Sequence, residues 1–148
     1  MKKLLSLAVL LISLSAHAQS SAASDLDRAR ELLKARAIER VMVLRIPDDV
    51  TTRTNVTQEW MRKDSSYTVT LNEGFEPVLS SLLDDVTATK SERESDLRWG
   101  LLVYDRSGRE VASLFVDHFG KTGYVNGKSA EFSLNMSERM RRFIRDLR

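Results

Sequence analysis

One stretch restricts the fold more than any other: residues 98–134, reading RWGLLVYDRSGREVASLFVDHFGKTGYVNGKSAEFSL. Apolar runs, turn residues and β-propensity agree along it, which predicts an antiparallel meander. Residues 99–105 form a continuous apolar run closed by Asp105-Arg106-Ser107-Gly108, and Gly108 offers the positive φ that a short hairpin loop needs. Residues 111–116 are the return strand. In the first run Trp99, Leu101 and Val103 alternate with Leu102 and Tyr104, so both faces are expected to be covered at least in part. Asn126-Gly127 is the signature of a type I′ turn and joins a second hairpin. Between the hairpins lies Asp117-His118-Phe119-Gly120-Lys121-Thr122-Gly123, with the only histidine outside the first twenty residues.

The start of the chain sets the expected compartment. Residues 1–18 read as a cleavable secretory signal peptide. Lys2 and Lys3 form its positive end, and an apolar stretch of about eleven residues follows, too short to span a membrane. Ala16-His17-Ala18 then places small residues at the −3 and −1 positions of a cleavage site. A periplasmic location without membrane insertion after cleavage is expected. The chain has no cysteine, which leaves no lipoprotein anchor, disulfide or thiol nucleophile. Cleavage removes two lysines and no acid, so 23 basic residues become 21 against 21 acids. The net charge of +2 vanishes, and with it any charge-based case for nucleic-acid binding.

From there the chain reads as one domain, residues 25–148, after a disordered lead at 19–24. Ser24 or Asp25 is expected to cap a helix carrying Leu26, Ala29 and Leu33. Residues 41–46 form a strand stopped by Pro47. Asn55 or Thr54 opens a short helix with Val56, Trp60 and Met61, and residues 67–71 alternate as a half-buried strand. Phe75, Val78, Leu79, Leu82, Leu83 and Val86 mark one amphipathic helix, and residues 87–96 a charged loop. Asn135 or Ser137 caps a last helix with Met136, Met140, Phe143, Ile144 and Leu147 on its buried stripe. The fold class expected is α+β: an antiparallel sheet of about five or six strands packed by three or four helices. Charge is uneven, with eleven acids and five bases in residues 48–96 against six acids and ten bases in 97–148. The two parts are expected to face each other, or to give a bipolar surface that steers a charged partner.

Most chemistries find no support. One histidine in the mature chain and no cysteine do not make a transition-metal site, and neither Asp48-Asp49 nor Asp84-Asp85 fits a calcium loop. Asp117 and His118 are neighbours on a strand and point to opposite faces, so Asp117 is badly placed to orient His118 in a triad. Gly127-Lys128-Ser129 resembles a P-loop ending but lies in a hairpin turn, with Thr122 where the motif needs glycine. No cofactor and no catalytic residue are assigned, and the chain is not expected to be an enzyme.

Surface recognition remains. Loops held by a rigid sheet carry binding residues, and aromatic side chains anchor interfaces. The candidate contacts are Asp117, His118, Phe119, Lys121 and Tyr124, with Trp60 as a second anchor. The layout of RWGLLVYDRSGREVASLFVD, FGKTGYVNGKSAEF and a C-terminal amphipathic helix behind a signal peptide resembles small periplasmic immunity or inhibitor proteins. That resemblance implies a protein partner: a toxin delivered by a rival cell's secretion system. Alternatives are a small envelope hydrolase or peptidoglycan-binding domain using scattered carboxylates, and an accessory subunit of an envelope assembly.

Overall fold

The computed structural model describes residues 20–147; the expected signal peptide lies outside them. The elements in chain order are α1 (Ala22–Lys34), β1 (Ile38–Arg45), α2 (Gln58–Asp64), β2 (Tyr67–Leu71), α3 (Glu76–Leu83), β3 (Ala88–Lys90), β4 (Leu97–Asp105), β5 (Glu110–Asp117), β6 (Thr122–Val125), β7 (Lys128–Phe132) and α4 (Met136–Asp146). The strands form a single antiparallel sheet in the order β2-β1-β4-β5-β6-β7-β3. This is the α+β architecture expected, with four helices and one strand more than anticipated. The extra strand is β3, inside the expected charged loop, where Ala88, Thr89 and Lys90 pair with β7. Three residues are too few to show an alternating pattern.

The meander β4 to β7 follows its turns. Asn126 and Gly127 both take positive φ, 47° and 79°, as a type I′ turn requires. Helix ends account for the shifted boundaries. The Ser21 side chain accepts from the Ser24 amide at 3.1 Å and caps α1, so Ala22, Ala23 and Ser24 of the expected lead are helical. Asp25, one of the two expected caps, is instead buried and paired with Lys128. Arg36 takes φ +50°, and the Ala37 amide returns to the Leu32 carbonyl at 3.0 Å, which closes α1 and lets β1 begin at Ile38. Thr57, not Thr54 or Asn55, caps α2.

Both faces of β4 and β5 are covered. On one face, Trp99, Leu101, Val103, Leu114 and Val116 join α1, α3 and α4 in the main core, with Leu26, Leu79, Leu82, Met140 and Phe143 from the helices. On the other, Leu44, Leu102 and Phe115 pack with Ile46, Val56, Met61 and Leu97. That smaller core lies under α2 and the crossing segment 46–57. Gly100 makes room for the Phe115 ring: a Cβ there would lie 3.0 Å from Phe115 Cε1.

Candidate interaction site

The connection from β5 to β6 is a tight turn whose two corner residues are His118 and Phe119. The Gly120 amide donates to the Asp117 carbonyl at 3.2 Å, closing the four-residue turn. Asp117 is buried, and its carboxylate accepts from the Lys121 amide at 3.0 Å, the Thr122 amide at 3.3 Å and the Thr122 hydroxyl at 2.9 Å. Asp117 therefore positions the turn rather than facing a partner. Its own carbonyl also accepts from the Ser137 hydroxyl at 2.7 Å, and the Met136 amide donates to the Gly120 carbonyl at 2.8 Å. The turn is thus fastened to the first residues of α4. Gly120 has φ +74°, and a Cβ there would overlap the Asn135 side chain and the Ser137 amide. Only glycine fits that position.

The side chains that face outward are what this fastening presents. Phe119 is 72% exposed, by far the most exposed large apolar side chain among the described residues. Its ring stands edge-on to His118, with centroids 5.0 Å apart and planes at 84°. His118 Nδ1 lies 3.1 Å from Asp48 Oδ1, and Arg141 Nη2 of α4 donates to Asp48 Oδ2 at 3.1 Å. Partial burial opposes ionisation of Asp48, but hydrogen bonds from His118 and Arg141, and their charge, outweigh it and hold its carboxyl below the usual range. Three distant parts of the chain meet here. Lys121 is exposed on the same turn.

Asp48 is itself held in place. The crossing segment is tied to the start of β4 by Arg98, which is 9% exposed. Its guanidinium donates to the Val50 carbonyl at 2.9 Å and to Asp96 Oδ2 at 2.8 Å, while Asp96 Oδ1 accepts from the Val56 amide at 2.9 Å. Asp48 and Asp96 of the acidic half are thus met by Arg141 and Arg98 of the basic half.

The other two candidates stand apart from the turn. Tyr124 is half-buried against the smaller core, where Phe115 and Leu102 also lie. Trp60 is 38% exposed and sits with residues 50–56 around an open depression of about 290 Å³. Asp48 and Arg141 were missed as site residues because nothing local marks them. They lie 70 residues before His118 and 93 residues after Asp48, respectively.

Among the described residues, His, Asp and Glu form no group of three or more able to hold a metal ion. Among the same residues, no helix is long and apolar enough to cross a membrane. A fixed turn that displays an aromatic ring beside a histidine, a lysine and an arginine–carboxylate pair is suited to non-covalent docking. Comparison with family models, curated proteins and solved structures finds no match to the chain.

Proposed function

We propose that the protein is an exported, periplasmic binding module that docks another protein through the His118–Phe119 turn. An immunity protein occluding a secreted toxin is the form this takes. The single observation behind the reading is the exposed Phe119 ring on a turn that Asp117, Gly120 and the α4 N-terminus hold rigid. Presenting an apolar ring this way costs little ordering entropy on binding, and buried aromatic side chains are the usual hot spots of interfaces. His118 and Lys121 supply polar contacts around it, and the depression beside Trp60 is a second foothold on the segment that carries Asp48. The signal-peptide pattern supports a periplasmic role of this kind. Purified chain and candidate toxin, mixed and measured by calorimetry, test it. Wild type should bind at one to one and suppress the toxin's activity. Phe119→Ala should weaken binding at least about tenfold, the usual cost of removing an aromatic hot spot. Equal affinity for both would remove the turn from the interface.

A further inference from the structure

The two edges of the sheet are built differently. β3 is three residues long, and its exposed Lys90 pairs with Glu92. Shortness and charge are common means of keeping an edge from pairing with another chain. β2 has neither protection. Tyr67-Thr68-Val69-Thr70-Leu71 carries no charge, no proline and no bulge, and its register with β1 is unbroken from Arg45↔Tyr67 to Val41↔Leu71. Among the described residues no strand pairs with its outer side. Tyr, Thr and Val are all strand-favouring types.

The order of these residues is also self-complementary. Two copies related by a two-fold axis must pair such an edge antiparallel. With the axis at Val69, Thr68 faces Thr70 of the second copy, Tyr67 faces Leu71, and Val69 faces itself. Threonine pairs and aromatic–aliphatic pairs stabilise antiparallel ladders, and no charge opposes a like charge. The flanks match as well. Arg62 is already paired with Glu110, but exposed Lys63 in the last turn of α2 would come near exposed Glu73 of the second copy, once on each side of the axis. On the helix-side face Tyr67 is 41% exposed and neighbours Arg45, whose guanidinium lies 4.7 Å from the centre of the Trp99 ring. Leu71 of the second copy would extend that row and cover the Tyr67 ring.

We propose that β2 is a self-association edge through which two copies join their sheets, β2 to β2 about Val69. Two five-residue strands with their flanks bury less than the roughly 1,200 Å² of a stable complex. The dimer is therefore weak, half-formed at about 10–100 µM. Sedimentation velocity of the mature chain from about 1 µM to 1 mM reads this directly. Two double variants accompany wild type, Thr68→Lys with Thr70→Lys and Thr68→Lys with Thr70→Glu. Both threonines are exposed, so the fold should persist, and matching circular dichroism verifies it. Wild type should shift to dimer. The lysine pair, which sets like charges across the axis, should raise the midpoint at least about tenfold, and the lysine–glutamate variant should restore it. Phe119→Ala should dimerise as wild type does, which separates this edge from the docking turn. A chain monomeric throughout, or double variants that behave alike, would overturn the proposal. So would a monomer whose β2 amides respond only to an added extended peptide, which would give the edge to a strand from another protein.

Discussion

The two faces of the sheet are held by different means. The helix-covered face is a continuous apolar core fed by α1, α3 and α4. The opposite face has a small core under one short helix and an irregular segment, and polar bonds do much of the fastening there: Arg98 to Val50, Asp96 to Val56, and His118 and Arg141 to Asp48. The first arrangement gives stability, because burial is additive and tolerant of detail. The second gives placement, because directional bonds between distant residues decide where a loop lies. The candidate docking turn joins the two: directional bonds place it, and they run both to the start of α4 and to Asp48.

This contrast predicts graded responses. The largest is on the helix side: Phe143→Ala leaves a cavity in the main core and should cost about 3–5 kcal/mol by denaturant unfolding. Gly120→Ala attacks the turn. Its Cβ meets Asn135 and Ser137 in a left-handed backbone conformation, so a loss of about 2–4 kcal/mol is expected, with altered amide signals concentrated at β6 and the start of α4. Arg98→Met unties the crossing segment while keeping its bulk. It should cost about 1–3 kcal/mol and speed hydrogen exchange in residues 50–56 before it does so in β5.

The Asp48 tether is smaller and depends on pH. Its folded-state pKa is depressed, so its contribution is present above the unfolded value and lost as pH falls through the folded one. The stability difference between wild type and Asp48→Asn should therefore still be present at about pH 5 and vanish in stronger acid. The carboxylate is partly exposed, so solvent screening should keep that difference under about 1 kcal/mol. A difference that survived undiminished in strong acid, below the ordinary carboxylate range, would contradict the assigned sign.

The helix side was largely legible from residue pattern. The stripe from Phe75 to Leu83, the stripe from Met136 to Phe143 and the Asn126-Gly127 turn depend on neighbours in sequence, and short-range periodicity reports them; Val86, expected on the same helix, lies beyond its end at Leu83 and is buried from the following loop. The polar side was much less so. Phe119 was a candidate because a bulky ring in a loop with two glycines, a histidine and a lysine stands out, whereas nothing local shows that the Asp117 carboxylate bonds within its own turn. Asp48, Arg98 and Arg141 act across long separations, and nothing in a single sequence marks which acid meets which arginine. β3 escaped notice because its three residues, Ala88, Thr89 and Lys90, are too few to show an alternating pattern within the charged stretch around them.

The most direct test of the account is a capture experiment that compares two chains differing by one ring. The mature protein and its Phe119→Ala variant, each tagged at the C-terminus, would be expressed in the native host's periplasm and their co-purifying proteins quantified. The exposed ring contributes little to folding, so both should melt within about 1 °C of each other. The account predicts one stoichiometric protein partner with wild type and its loss with the variant. The same partners on both chains, or retention only on cell-wall fragments, would contradict it.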